Sequence, residues 1–517
     1  MAFAFAKKIF PTWQNILLAI IAAVLLILAF PDFECWFLAW FALVPLMWAV
    51  ERQKHCVTAC FLLGWLFGTI FFFGTCWWLA YAPIHYASFP PLLAYSLIMI
   101  ACLGAGIFPG IFTVVLSLLL RRFGSWAFLA APFVWVACEF ARYWITGNNW
   151  NAIGYSQAFV EPVLRFVPSA GVLLISFLVS SSSALVIAGF TKLSRLFFVG
   201  LGALMFFVVA FVRGILPVAF TDLVCWDCKD PYIISIQGNI PASGLDSKKW
   251  NELRERQFSA AQAQIDKLKS DNLLVTTVVL PESPMNFMYD DDREFQWVVG
   301  DFARQNNVSV LFNSSEPDKG TTKYFNSAVM VGPDGNKVAE YDKIYLLPFG
   351  EAVPGPLDQI MPAFVGSFAY GSNYTLLPVG DAKAGVMICF ESHFGQLSRE
   401  YVRNGADVII EMTNDGYLGP TPVLRQHLAN AVFRAVETNR PVLRVTNVGI
   451  TAYINERGEV LDATTPYQED TRVWSVSKSD GSQTFYVKYG DWFAWLCSIV
   501  TLPILGLSLR RRNEKDS

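Results

Sequence analysis

Long apolar runs dominate the first 220 positions of this 517-residue chain, whereas short apolar runs between polar residues fill most of the remainder. The long runs lie at 13–31, 36–50, 57–80, 90–119, 125–145, 167–190, 196–217 and 490–509. A helix that crosses a bilayer needs about 20 apolar residues, so the pattern predicts eight membrane spans, the second of them short. Between residues 220 and 488, strand-like and helix-like segments alternate, which predicts a separate α/β domain with layered packing.

The distribution of charge agrees with this division and gives the spans a direction. Only 16% of the residues are charged, against about 25% in soluble domains, and the deficit lies in residues 1–220. Lysine and arginine concentrate at alternate connections between the spans, at Lys7, Lys8, Arg52, Lys54, Arg121, Arg122, Lys192, Arg195 and 510–512. Basic connections face the cytoplasm, so both termini are predicted to be cytoplasmic and residues 220–488 to lie on the outer side. The net charge of −3 gives no indication of nucleic-acid binding.

Two features of the outer region keep more than one interpretation. Residues 354–370 are rich in apolar side chains without a clear period, which fits either contact with lipid or a place in the core. Cys225 and Cys228 form either a local disulfide or a pair of free thiols. A metal site would need a second pair of ligands, and the sequence shows none.

Three segments of the outer region carry groups suited to nucleophilic acyl transfer. One short apolar run ends at Cys389 and another at Glu282, while Lys343 follows a predicted hairpin strand. A thiol at a strand end is open to a substrate, a desolvated carboxylate accepts a proton near neutral pH, and a lysine stabilises an oxyanion. Each residue also has an ordinary structural explanation: a packed cysteine, a helix-capping acid and a solvated lysine. His393 and His427 are alternative bases for the thiol, without support from the spacing.

The outer region resembles the carbon–nitrogen hydrolase (nitrilase) superfamily, and the whole chain resembles the bacterial apolipoprotein N-acyltransferases. The resemblance rests on residues 237–241, 281–283, 341–354, 388–391, 414–419, 426–427 and 440–452, together with 146–150 and 154–157 in the apolar part. It implies a multi-domain membrane protein in which an eight-helix transmembrane bundle carries a nitrilase-like α-β-β-α sandwich. The implied domains are 1–219 with seven spans, 220–488 as the catalytic domain, and 489–517 with the eighth span and a basic tail.

The same resemblance assigns roles to the candidate residues. Glu282 is the expected general base, Lys343 the oxyanion-stabilising cation and Cys389 the nucleophile. The supporting residues implied by the motifs are Glu351, beside Lys343, and Phe390 and Glu391, which shape the pocket next to the nucleophile. The N–H of Phe390 is a further oxyanion donor. Candidate substrate-binding residues are Trp250, Trp150 and Asn414. The chain departs from the family pattern at Phe390, where tyrosine is usual, and at Arg425, where tryptophan is usual, so substrate preference is the property most affected.

The implied activity is transfer of a fatty acyl chain from a phospholipid to a lipoprotein. The donor in the family is phosphatidylethanolamine, and the acceptor is the α-amino group of the N-terminal diacylglyceryl-cysteine of an apolipoprotein. A thioester on Cys389 would carry the acyl group between the two, which makes the kinetics ping-pong. The resemblance places the protein in the bacterial inner membrane with a periplasmic catalytic domain, and it implies no cofactor or metal.

Two other functions fit parts of the same pattern. A membrane-tethered amidohydrolase of the nitrilase type would use the same three residues on a soluble amide. A transporter would keep ionisable residues deep among its spans. Glu139 and Arg142 are the main candidates for that role, but they lie three positions apart near the outer end of a predicted span and are expected to pair locally.

Overall fold

The computed structural model describes residues 10–191, 231–241, 243–282, 287–353 and 368–509. The chain divides into two compact units. The first comprises Met1–Ala219, Thr421–Gln426 and Asp491–Ser517, and the second comprises Phe220–Pro420 and His427–Gly490. The predicted span at 196–217, the pair Cys225 and Cys228, and nearly all of the 354–370 loop lie outside the described residues.

The described part of the first unit is helical. Its longer helices are α1 (Trp13–Ala29), α2 (Ala39–Gln53), α3 (Val57–Cys76), α4 (Pro91–Phe123), α5 (Ala131–Thr146), α6 (Val172–Gly189) and the C-terminal helix Trp492–Leu509. Within the described residues, four helical stretches are long and apolar enough to cross a membrane, and they are Val57–His85, Pro91–Leu129, Val172–Gly189 and Trp492–Leu509. The structure therefore supports a membrane-spanning unit, while the full count of eight spans stays a prediction.

Small residues decide how the two longest of these helices meet. A Cβ on Gly64 in α3 would lie 2.3 Å from the carbonyl oxygen of Pro109 in α4, and a Cβ on Gly106 would lie 2.7 Å from Thr69 Oγ1. Either Cβ would clash, so glycine at these two positions is what allows α3 and α4 to approach this closely, as small residues do between helices in lipid. Elsewhere large apolar side chains such as Leu92 and Leu502 are exposed on the helix surfaces, as expected where hydrocarbon is the solvent.

The described part of the second unit contains twelve strands in two six-stranded sheets. The strands are β1 (Tyr232–Gln237), β2 (Val275–Val279), β3 (Ser309–Pro317), β4 (Tyr324–Val331), β5 (Lys337–Asp342), β6 (Leu376–Val379), β7 (Ala382–Ile388), β8 (Val408–Thr413), β9 (Val442–Thr446), β10 (Ala452–Ile454), β11 (Val460–Leu461) and β12 (Asp470–Ser475). The first sheet has the order β12-β1-β2-β3-β4-β5 and the second β11-β10-β9-β8-β7-β6. In each sheet three central strands run parallel and the outer ones are antiparallel.

The alternation of side chains along the strands builds four layers. Ile234 and Ile236 of β1 enter the core formed with the helices α7 (Ser247–Ser270) and α8 (Arg293–Asn306). Gln237 faces the other way and accepts hydrogen bonds from Thr446, the last residue of β9, and from Thr464. Because successive side chains of a strand point to opposite faces, the first sheet lies between its helices and the second sheet. Helices α9 (Gly395–Arg403) and α10 (Val423–Thr438) connect strands of the second sheet. The predicted nitrilase-like α-β-β-α fold is therefore confirmed.

Candidate active site

The two stacked sheets bring the chain segments that follow three of their strands to one place. Glu282 comes shortly after β2, Lys343 directly after β5 and Cys389 directly after β7. The Nζ atom of Lys343 lies 2.7 Å from Glu351 Oε1 and 3.9 Å from Glu282 Oε1. The Cys389 thiol and the Glu282 carboxylate are close enough for each to shift the pKa of the other. The residues predicted as nucleophile, base and cation are therefore neighbours, although the chain separates them by many tens of positions.

The electrostatics of this group keep the thiol protonated at rest beside a carboxylate with an increased affinity for protons. Burial raises the pKa of Glu282, and Glu351 adds to the effect while Lys343 opposes it. Burial and the charge of Glu282 raise the pKa of Cys389 well above its usual value, again against Lys343. Burial alone would lower the pKa of Lys343, but the carboxylates outweigh it and raise the pKa. A proton can thus pass from thiol to carboxylate when an electrophile arrives, with a permanent cation nearby.

Asn326, in β4, joins the two carboxylates and was not singled out in the sequence. Its Nδ2 donates to Glu282 Oε1 at 3.2 Å and to Glu351 Oε1 at 2.7 Å. Its own Oδ1 accepts from Asn313 Nδ2 at 2.7 Å, which fixes the orientation of the amide. Two carboxylates that share one donor are held apart at a set distance. The available signal was the presence of two asparagines in apolar strand runs, where this residue type is disfavoured.

Glu391 holds the backbone around the nucleophile from the protein interior. Its side chain is fully buried, and it accepts hydrogen bonds from Tyr341 Oη and from the backbone N–H groups of Ile344, Tyr345 and Ile388, at 2.7 to 3.0 Å. Burial raises the pKa of this carboxyl to about 7. It ties the residue before the nucleophile to the segment that follows Lys343, so it shapes the site by holding its parts together.

The other predicted residues are placed as follows. Glu351 accepts from Leu347 N at 2.7 Å through the oxygen that does not contact Lys343. Phe390 is buried, with its ring against those of His393 and Phe394. The backbone N–H of Asn414 donates to Glu282 Oε2 at 3.1 Å. Asn414 thereby positions the carboxylate through its main chain.

The three predictions that concern tryptophan positions have the following contacts. Trp250, on α7, packs edge-to-face against Phe287 at the core between the helices and the first sheet. Trp150 belongs to the helical unit, where its indole N–H donates to Gln426 Oε1 at 3.1 Å. Arg425, at the position where tryptophan is usual, forms an ion pair of 2.7 Å with Glu34 within the same unit.

A closed ring of buried charges lies behind the nucleophile, and the sequence did not reveal it. Arg444 contacts Glu411 at 2.5 Å and Asp415 at 2.8 Å. His427 completes the ring, with Nδ1 2.7 Å from Asp415 and Nε2 3.1 Å from Glu411. The Nε2 atom also lies 3.0 Å from the carbonyl oxygen of Cys389. His427 therefore meets the backbone of the nucleophile, which differs from the Cys–His thiol pair considered above.

The ring makes stability depend on pH in the alkaline range. Burial and Arg444 lower the pKa of His427, but the carboxylates of Asp415 and Glu411 outweigh them and raise it from 6.5 to about 9. A group whose pKa is higher in the folded protein than in the unfolded chain stabilises the fold. This stabilisation is complete at pH values below the unfolded pKa of 6.5, and it is lost as the pH rises through the folded pKa of about 9. We expect the stability difference between wild type and His427→Gln to shrink by about 3 kcal/mol across this range. Thermal unfolding of both proteins from pH 6 to about 10 measures it, and parallel curves would contradict it.

Comparisons with known proteins match both units of the chain. The model of the apolipoprotein N-acyltransferase N-terminal domain matches residues 22–185, and the carbon-nitrogen hydrolase model matches residues 291–484. Over nearly its whole length the chain is similar to apolipoprotein N-acyltransferases. An apolipoprotein N-acyltransferase of Geobacter metallireducens is 29% identical over 514 residues, which cover 97% of this chain and 96% of that protein. One of Pasteurella multocida is 28% identical over 98% of this chain and 97% of its own length.

Among solved structures, an amidase from Nesterenkonia sp. AN1 matches 52% of this chain and 98% of its own at 15% identity, with a TM-score of 0.38. The fold is assigned from the two sheets and their layers, together with the family match.

Proposed function

We propose that this protein transfers a fatty acyl chain from a phospholipid to the α-amino group of the N-terminal diacylglyceryl-cysteine of apolipoproteins, through a thioester on Cys389. The observation that carries the proposal is the proximity of the Cys389 thiol to Glu282 and to the charged Lys343, in a chain similar to apolipoprotein N-acyltransferases over nearly its whole length. A thiol, a carboxylate base and a buried cation are the groups that acyl transfer through a covalent intermediate requires.

In the first half-reaction Glu282 takes the proton of the Cys389 thiol. The sulfur attacks the ester carbonyl carbon of the phospholipid, and Lys343 together with the N–H of Phe390 stabilises the oxyanion. The C–O bond then breaks, and the lysophospholipid leaves with the proton from Glu282. The acyl group remains on sulfur as a thioester, which keeps it activated.

In the second half-reaction the free amine of the diacylglyceryl-cysteine attacks the thioester carbon. Glu282 accepts the amine proton, the C–S bond breaks, and the proton returns to the Cys389 thiolate. The product is an N-acylated lipoprotein, and the enzyme regains its starting state. Glu351 and Asn326 hold Lys343 and Glu282 in position throughout, because both contact these side chains directly.

The proposal includes an arrangement in the membrane. Domain 1–219 would contribute seven spans and 489–517 the eighth, with both termini cytoplasmic and the catalytic domain 220–488 periplasmic at the bacterial inner membrane. Phosphatidylethanolamine is the proposed donor. A membrane-spanning unit supports this proposal because it holds two lipid-bearing substrates at one leaflet and limits the access of water, which would hydrolyse the thioester. The names of the relatives favour acyl transfer over the alternative amidohydrolase.

Glu139 and Arg142, the two charged residues considered for transport, form hydrogen bonds within the helical unit. Glu139 Oε1 accepts from the backbone N–H of Ile153 at 2.9 Å, and Arg142 donates to the carbonyl oxygen of Trp150 and to Asn149 Oδ1 at 3.0 Å. Instead of the expected ion pair with each other, both side chains therefore bind the backbone or side chains of the segment 149–153. Charges engaged in this way support a structural role.

Mass spectrometry of the purified full-length protein tests the proposal. Incubation with phosphatidylethanolamine alone should add one fatty acyl mass to the peptide that contains Cys389. Addition of a synthetic diacylglyceryl lipopeptide should then remove the adduct and produce the N-acylated peptide. A protein that never acquires the adduct, or one that loses it to water as fast without the acceptor as with it, would contradict acyl transfer.

A further inference from the structure

The backbone of Cys389 has a conformation that its surroundings must hold. Its φ is +53°, in the left-handed region that costs a non-glycine residue roughly 1–2 kcal/mol. On its N-terminal side, the backbone N–H of the preceding residue, Ile388, donates to Glu391 Oε2 at 2.9 Å. The peptide group after it is held at its carbonyl oxygen, 3.0 Å from His427 Nε2. The nucleophile is therefore fixed on both sides, by a carboxylate and by an imidazole.

The bond from His427 also sets the direction of a second group. A trans peptide is planar, and its C=O and N–H point in opposite directions. When the carbonyl of Cys389 is drawn toward His427, the N–H of Phe390 points away from it. That N–H belongs to the residue after the nucleophile, the position from which a backbone donor reaches an oxyanion. A charged donor on the carbonyl also polarises the peptide and strengthens its N–H as a donor.

The ring of charges gives the imidazole one orientation. Both ring nitrogens face acceptors, since Nδ1 contacts Asp415 and Nε2 contacts the Cys389 carbonyl and Glu411. Arg444 binds the same two carboxylates from the other side. All four side chains of the ring are at most 4% exposed. The imidazole therefore carries a proton on each nitrogen and cannot rotate without breaking an ion pair in the protein interior, where the loss is large.

We propose that His427 is a positioning residue for acyl transfer, which holds the carbonyl oxygen of Cys389 and thereby directs the N–H of Phe390 at the oxyanion. The inference rests on the proposed thioester chemistry. It assigns His427 no contact with the sulfur and no proton transfer. The role consequently predicts a defect in acylation without a defect in the thiol itself.

Two variants separate the hydrogen bond from the charge. His427→Gln retains an N–H donor without the charge. The double variant of His427→Leu with Glu411→Gln removes the donor while one cation and one carboxylate, Arg444 and Asp415, remain in balance. We expect acyl-thioester formation from phosphatidylethanolamine in a single turnover to fall about 5- to 10-fold in the first and about 100-fold in the second. The KM for phospholipid and the rate at which iodoacetamide alkylates Cys389, followed by mass spectrometry, should stay within about threefold of wild type.

Arg440→Gln is the matched control. Arg440 is another buried cation whose N–H groups hold carbonyl oxygens, those of Ala406, Asn439 and Ser482. We expect this variant to lower the unfolding temperature and to leave acylation by the folded protein within about threefold of wild type.

The outcomes distinguish the inference from the function on which it rests. A wild-type protein without an acyl adduct would overturn the proposed function, and the inference with it. An adduct in wild type together with His427→Gln and the double variant at wild-type rates would overturn the inference alone. A parallel loss of acylation and alkylation would also overturn it, because His427 would then act on the thiol. Should the double variant not fold, the single variant decides between these results.

Discussion

Replacing Cys389 with serine should abolish the acyl-enzyme and lower acyl transfer by about 10³-fold or more. The hydroxyl is far less acidic than the thiol, so Glu282 cannot remove its proton, and what remains is binding and oxyanion stabilisation without a nucleophile. Glu391 and His427 contact main-chain atoms on either side of the Cys389 side chain. The substitution therefore leaves the hydrogen bonds that hold this backbone intact.

The measurement combines phospholipid turnover with the mass of the Cys389 peptide. Cys102→Ser is the matched control, since Cys102 is a buried cysteine in α4 of the helical unit. This substitution also replaces a sulfur atom with an oxygen atom. It should retain wild-type turnover and the adduct. Turnover by Cys389→Ser at the rate of this control would show that the acyl group travels by another route.

Replacing Glu282 with glutamine should slow acyl-thioester formation by about 10²- to 10⁴-fold at neutral pH, with little change in the KM for phospholipid. The amide keeps the shape of the carboxylate but accepts no proton. The thiolate must then form in equilibrium with solvent. The substitution removes the Glu282 charge, one cause of the raised pKa of Cys389, but burial, the largest cause, remains. The thiolate fraction in the variant therefore rises about tenfold for each pH unit below the pKa of its thiol.

The pH profile of acylation therefore identifies the base. The variant should recover activity with a slope of about one logarithmic unit per pH unit, while wild type, with its base intact, stays flatter near neutral pH. Glu316→Gln is the matched control, because Glu316 is a buried glutamate of the same domain that accepts backbone N–H bonds from Tyr289 and Asp290. A Glu282→Gln protein with the wild-type rate and profile would assign the proton transfer to another group.

The pattern of the chain predicted elements better than it predicted contacts. The strand pairs of the outer domain have apolar runs several residues long, which is enough to place β2, β4 and β7. The hairpin strand expected before Lys343 is β5. Thiol, acid and lysine at strand ends were recognisable because such positions are open to substrates. The short strand β11, with only two residues, carries too little pattern to be seen.

Asn326 and the charged ring show what a pattern leaves out. Asn326 contributes to the site because it contacts Asn313 of β3 and the carboxylates of Glu282 and Glu351. No spacing in the sequence predicts these contacts. Glu411 and Arg444 lie inside apolar strands, where the sequence shows only a single charged residue in each and gives no sign that the two are partners. They are tolerated because β8 and β9 pair Glu411 directly with Arg444, which places opposite charges side by side in the interior.

The sequence by itself determined the division into an apolar helical part and an α/β part, and it named the chemically competent groups, because hydrophobic period and residue type are local properties. Only the tertiary structure decided which of these groups touch. The stacking of the two sheets brings Glu282, Lys343 and Cys389 together, and it converts His427 from a possible base into a holder of the nucleophile's backbone. Distances of a few ångströms between residues far apart in the chain arise from packing, and local pattern contains no information about them.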